Sequence, residues 1–230
     1  YIFTTGESVR ADMIKYNRIK SHKIQSIPTG IDSSIFNPDK YDVAECRKQF
    51  NLHDDEIAIG ILAVLRQFKR HDLFLEMAKV IIEKYSNKKF VFIIAGDGPQ
   101  KNSIQKIMND LNLTPHVKFL GHVNKVSELL SALDILVLSS DSKEGVSQSV
   151  MQGLFMNKPV VASNSGSTKD LLNDNNFQLV GTDSSVELVK GVSYYIDNDK
   201  IKRNEVLIDD KFSLKFMSRR IVEIYNHLLS

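Results

Sequence analysis

Short apolar runs rich in branched side chains recur along the chain: "IAIGILAV" (57–64), "KFVFIIA" (89–95), "VKFL" (117–120), "DILVLSS" (134–140) and "PVVAS" (159–163). Runs of this kind, without a polar face, predict strands covered on both sides. Between them the apolar positions follow a helical stripe, first at Phe74, Met77, Ala78, Ile81 and Tyr85, then at Ile104, Ile107, Met108 and Leu111. Alternation of strand and helix predicts an α/β fold, a doubly wound parallel sheet of Rossmann-like form with about five or six strands. Two further helices are expected over 184–195 and 214–229, the second with apolar positions Phe216, Ile221, Ile224, Tyr225 and Leu228. Residues 1–27 fit the array less cleanly. They predict a strand, a helix and a second short strand ending in a Pro-Thr-Gly turn, which reads as the tail of another unit with a boundary near Pro28. The expected division is therefore 1–27, 28–212 and a final helix over 213–230.

Composition narrows the functional classes. With 30 Lys and Arg against 28 Asp and Glu, the net charge is only +2, so no basic footprint for nucleic acid appears. The single cysteine, Cys46, excludes an intrachain disulfide, and no Cys/His grouping has zinc spacing. These features, with no signal-peptide pattern and no run of roughly 20 apolar residues, predict a cytoplasmic protein, with attachment to the inner face of a membrane left open.

In a doubly wound sheet, ligands sit outside the carboxyl ends of the strands. The loop after the first strand, "LRQFKRHD", carries Arg66 and Lys69, readable as a phosphate clamp or as a solvated basic loop. "AGDGPQ" offers Gly96 and Gly98 for tight turning but lacks the dinucleotide fingerprint, so its expected role is mainly conformational. "FLGHVNK" could present backbone to a planar ring, or be a plain loop. The richest junction is "DSKEGVSQSVMQGLFM" (141–156), where a polar loop runs into an apolar helix beginning near Ser147 or Gln148. Such a helix start leaves about four N–H groups unpaired and favours an anion. Glu144 can accept bonds from hydroxyls, and Gln152 lies just past the first turn. Capping by Ser147, with Gln152 a core-edge amide, explains the same pattern equally well.

The ordered run "SIPTGID", "GDGP", "VKFLGHV", "LLSALDILVLSS", "EGVSQSVMQG" and "NKPVVAS" resembles the donor-binding half of retaining glycosyltransferases of the GT-B fold, family 4. The resemblance implies that Glu144 touches hydroxyls of a donor sugar and that Gln152 holds the nucleotide ribose. It implies backbone contacts from Gly145 and Val146 to the sugar and from Gln148 and Ser149 to the diphosphate. Arg66 and Lys69 would neutralise the leaving diphosphate, Lys118 and Phe119 would recognise the base, and Gly30 and Asp32 match the interdomain turn. No metal and no cofactor is implied beyond a nucleotide diphosphate sugar, with a UDP-sugar favoured. The implied acceptor is a sugar or lipid-linked glycan, and the implied activity is hexosyl transfer in polysaccharide or glycolipid synthesis. A non-catalytic nucleotide-sugar-binding subunit, or another GT-B enzyme such as an epimerase or phosphorylase, is the alternative.

Several positions depart from the family pattern. Gln152 replaces a glutamate, Thr29 replaces the asparagine of the turn, "GSTKD" (166–170) stands where G-G-x-P-E is usual, and Arg66 precedes Lys69 by three rather than five. The family has an acceptor domain before the donor domain, so the chain reads as part of a longer protein. The final helix and residues 1–27 are then expected to keep apolar surface for a second copy or an absent domain, or to be mobile.

Overall fold

The computed structural model describes residues 1–141, 146–172, 177–201 and 208–229. Six parallel strands form the main sheet: β3 (Glu56–Leu62), β4 (Lys89–Ala95), β5 (Val117–Gly121), β6 (Ile135–Leu138), β7 (Val160–Ser163) and β8 (Gln178–Val180). Their order is β5-β4-β3-β6-β7-β8, so the chain winds outward from β3 in one direction and, from β6 onward, in the other. The reversal leaves a crevice between the carboxyl ends of β3 and β6.

Both faces of the sheet are covered. Helices α3 (His71–Lys84) and α7 (Ser185–Asp197) pack on one side, where Ile59, Ile61, Phe92 and Ile94 meet Phe74, Met77, Ile81, Leu188 and Val192. Helices α2 (Val43–Gln49), α5 (Val126–Ala132) and α6 (Gln148–Phe155) pack on the other, where Ala58, Val91 and Ile93 meet Leu129, Leu130, Val150, Met151 and Leu154. Alternate residues of each strand therefore enter different cores, which is why the strands read as unbroken apolar runs. Helix α4 (Lys101–Asp110) is largely exposed and buries only Ile104.

The predicted strands and long helices are present, with ends shifted by at most two residues. The pattern did not predict α2, α5 or β8. The seven residues of α2 and of α5 make barely two turns, too few to repeat a stripe, and β8 is only three residues long.

At the amino ends of the strands, a buried cation ties the layers together. Arg47, 7% exposed, donates to the carbonyls of Ala132, His53 and Glu56 and pairs with Asp134 at 3.1 Å. Asp134 also accepts the Ala58 amide at 2.7 Å. Lys158, 4% exposed, donates to the carbonyls of Ser131 and Leu133 at 2.7 Å each.

Residues 1–27 make a small parallel sheet of their own, β1 (Ile2–Thr4) with β2 (Ile24–Ser26), joined by α1 (Glu7–Tyr16). This unit leans on the main domain through Ser8 Oγ against Ser167 Oγ, and through the Glu7 amide on Asp170 Oδ2 at 3.1 Å. The last helix, α8 (Leu214–Leu229), buries Ile224 but exposes Val222, Tyr225 and Leu228 by half or more. Phe3 meets Tyr225 edge-on at 6.5 Å between ring centroids, so the first strand and the last helix share one apolar flank. Among the described residues, no helix is long and apolar enough to cross a membrane.

Replacing Arg47 with Met leaves Asp134 without its buried partner, and the expected loss is about 3 kcal/mol of unfolding free energy. Urea denaturation checks it; an unchanged midpoint would remove this cluster from the stability of the fold.

Candidate functional site

A cleft of about 400 Å³ opens at the strand reversal. One wall is the chain leaving β3 at Leu62, Ala63 and Val64, together with Lys69; Ala95 and Gly96 from the end of β4 stand beside it. His122, Val123 and Val126 enter from beyond β5, and Val146, Ser147, Gln148, Ser149 and Gln152 form the opposite wall.

The loops that shape this cleft are joined backbone to backbone. Ala63 N–H donates to Ala95 O at 3.0 Å, Leu65 to Asp97 O at 3.0 Å, Gln100 to Leu65 O at 2.9 Å and Gly96 to Gly121 O at 2.8 Å. Such close approach requires glycine. A Cβ at Gly96, which has φ 145°, would stand 2.0 Å from Ala63 O, and one at Gly98 2.7 Å from Leu65 O. The conformational role expected of "AGDGPQ" is therefore visible as a seam between two loops.

Helix α6 begins at Gln148 with Ser147 as its cap, the Ser147 hydroxyl accepting from Val150 N–H at 3.5 Å. The helix is capped, and its first turn lines the cleft. The amides of Gln148 and Ser149 belong to the unpaired first turn, whose partial positive charge suits an anion. Gln152, partly buried, lines the same wall.

Lys69 is brought into the cleft, but Arg66 is not. Arg66 is extended at the head of the short 3-10 turn Gln67–Lys69 and lines a neighbouring cavity of about 630 Å³, with Gln67, Phe68, Gln100, Ser103 and Asp141. Lys118 and Phe119 also lie away from the cleft. They sit within β5, Lys118 Nζ donating to Asn51 O and Phe119 packing on the core, while His122 and Val123 from the same strand end line the cleft. Val146 lines the cleft. Glu144 and Gly145 lie outside the described residues.

Gly30 serves the seam with α8, while Asp32 opens the turn over residues 32–36. A Cβ at Gly30 would meet Leu214 Cα at 2.4 Å, and Ile31 bridges Ser213 through Ile31 N–H to Phe212 O and Leu214 N–H to Ile31 O. Asp32 Oδ1 accepts from Ser34 N–H at 2.8 Å, and hydrogen bonding by Ser34 lowers its pKa.

One residue that the sequence does not mark is His71, the first residue of α3. It is 2% exposed, and neither ring nitrogen has a partner among the described residues. Burial, helped by the charge of Lys69 and opposed by Asp72, lowers its pKa from 6.5 to about 4.

A chain with these features has relatives. The family described as Glycosyl transferases group 1 matches residues 42–209. The chain belongs to this family. It is 24% identical over 217 residues to the putative glycosyltransferase EpsD of Bacillus subtilis, covering 94% of this chain and 56% of that protein. It is 31% identical over 154 residues to the Escherichia coli UDP-Gal:alpha-D-GlcNAc-diphosphoundecaprenol alpha-1,3-galactosyltransferase, covering 66% and 39%. Of solved structures, Anabaena Alr3699/HepE in complex with UDP-glucose superimposes with a TM-score of 0.87 at 18% identity, covering 98% of this chain and 63% of that one. The fold is accordingly that of a GT-B glycosyltransferase's sheet domain, and the chain spans about half the length of the curated relatives named.

Because His71 is held neutral, its contribution to stability is whole above about pH 7 and is lost as pH falls through 6.5 towards 4, by up to about 3 kcal/mol. Urea midpoints measured between pH 7 and pH 4 should fall faster for the native chain than for His71→Leu. Parallel curves would show that the ring is not forced to charge on unfolding.

Proposed function

We propose that this chain is the donor-binding part of a retaining hexosyltransferase of family 4 that uses a nucleotide diphosphate sugar, with a UDP-sugar favoured, in polysaccharide or glycolipid synthesis. The observation that carries the reading is the meeting of Lys69 with the first turn of α6 in a cleft at the strand reversal. A lysine and unpaired amides facing one cavity form a seat for a diphosphate. The relative whose name specifies UDP-Gal and the solved structure that contains UDP-glucose support a uridine nucleotide.

In the proposed reaction the bond from the sugar's anomeric carbon to the diphosphate oxygen breaks. A bond from the same carbon to the acceptor's hydroxyl oxygen forms on the same face, and the hydroxyl proton passes to the departing diphosphate oxygen. Negative charge grows on the departing diphosphate, and Lys69 with the α6 end stabilises it where it develops. Gln152 would hold ribose hydroxyls, donating and accepting where a carboxylate only accepts. Glu144 would engage the sugar hydroxyls, with backbone contacts from Gly145 and Val146. His122 and Val123, which line the cleft beyond β5, would meet the base. Arg66, which lines the neighbouring cavity, would act on the diphosphate less directly than Lys69. The acceptor would be chosen largely by a further domain of the longer protein, docked along the flank shared by β1 and α8, and peripheral contact with the inner membrane face belongs to the same proposal.

Calorimetric titration with UDP, GDP and ADP should give binding tightest for UDP and stronger than about millimolar; no binding at that level by any of the three would sink the donor-site reading. Lys69→Ala should weaken UDP about tenfold, the worth of one charge-assisted hydrogen bond. In the full-length protein, Glu144→Ala should lower turnover at least about a hundredfold, and near-normal turnover would remove Glu144 from the mechanism.

A further inference from the structure

Arg70, next to the lysine of the cleft, has a backbone conformation that its side chain disfavours. Its φ and ψ are 49° and 49°, the left-handed region that favours glycine. The chain needs that conformation there, because Arg70 ends the turn of residues 67–69 and is at once the residue before α3. Its carbonyl accepts from Leu73 N–H at 3.1 Å, starting the helix.

Three contacts hold the bend. The hydroxyl of Ser139, fully buried beyond β6, lies 2.8 Å from Lys69 O and 2.9 Å from Arg70 O. The Arg70 guanidinium grips Asp72 through Nε at 3.1 Å and Nη2 at 2.9 Å. Its other arm, Nη1, pairs with Asp183, itself left-handed at φ 58°, in the turn before α7. The two carboxylates raise the Arg70 pKa, so its charge is fixed. One side chain thereby joins the β3–α3 loop, the start of α3 and the β8–α7 turn, while Lys69, the residue before it, lines the cleft.

We propose that Arg70 is a positioning residue for the diphosphate seat: its grip on Asp72 and Asp183 fixes the bend that presents Lys69 to the cleft. The inference rests on the reading of that cleft as a nucleotide diphosphate site. Glycine at this position would keep the bend accessible but not fixed, since it adopts left-handed and right-handed backbone with similar ease. The ion pairs of Arg70 are partly exposed, so the expected effect is moderate.

The test uses UDP as probe, with calorimetry for affinity and thermal unfolding for stability. Arg70→Gly should bind UDP about fivefold more weakly while its melting temperature stays the same or rises, because the left-handed strain is relieved. A residue serving only stability would change the melting temperature and leave the affinity for UDP unchanged. Asp183→Asn, which leaves the backbone of Arg70 untouched, should show part of the same loss. In a Lys69→Ala background, Arg70→Gly should add nothing, since the group it positions is gone. If Arg70→Gly and Asp183→Asn bind UDP like the native chain while Lys69→Ala binds it weakly, the positioning role is overturned and the diphosphate site stands. If Lys69→Ala also binds like the native chain, or if the native chain fails to bind UDP, the site reading fails and this inference with it.

Discussion

Main-chain hydrogen bonding between loops, beyond the last residues of the strands, is the constraint on which the candidate site depends. A parallel sheet normally ends in loops that go separate ways. Here the ladder continues past the strands, from Ala63 to Ala95, from Leu65 to Asp97 and from Gly96 to Gly121, so three connections behave as one rim. The chain beyond β6 joins the rim through Asp141 N–H on Phe68 O at 2.8 Å and through Ser139. Backbone groups that would otherwise need water are satisfied by one another, and the cleft gains a rigid border.

The opposite end of the sheet is built differently. There the connections are fastened by long cationic side chains reaching into carbonyl clusters, Arg47 with Asp134 on one side and Lys158 on the other. A buried guanidinium is tolerable because several of its donors find carbonyl acceptors and its charge meets a carboxylate. At the top, main-chain bonds do most of the fastening, with the side chains of Ser139 and Arg70 added to them.

The fold was legible because its strands are buried on both faces and its long helices repeat their stripe several times. The seven-residue helices α2 and α5 and the three-residue β8 escaped, since a helical period cannot show itself in two turns and β8 is too short to stand out. The site was legible as a set of loops rather than as a set of side chains. The "EGVSQSVMQG" stretch pointed to a helix end, and Ser147, Gln148, Ser149 and Gln152 do border the cleft. Spacing alone did not reveal that Arg66 and Lys69 would part, because an extended residue at the head of a 3-10 turn faces another cavity. Nor did it show that the cleft-lining part of "FLGHVNK" lies beyond the strand, at His122 and Val123. The left-handed bend at Arg70 had no sequence mark at all, for the residue that usually signals such a bend is glycine.

The glycine seam at Gly96 and Gly98 has a consequence for how such a cleft can change over evolutionary time. Its bonds run between main-chain atoms, so they read only the absence of a Cβ at two positions and are indifferent to the identity of the neighbours. The side chains of Val64 and His122 stand on that rim without building it. Such positions can drift, and lineages can exchange one guest for another, while the frame that holds them is inherited intact.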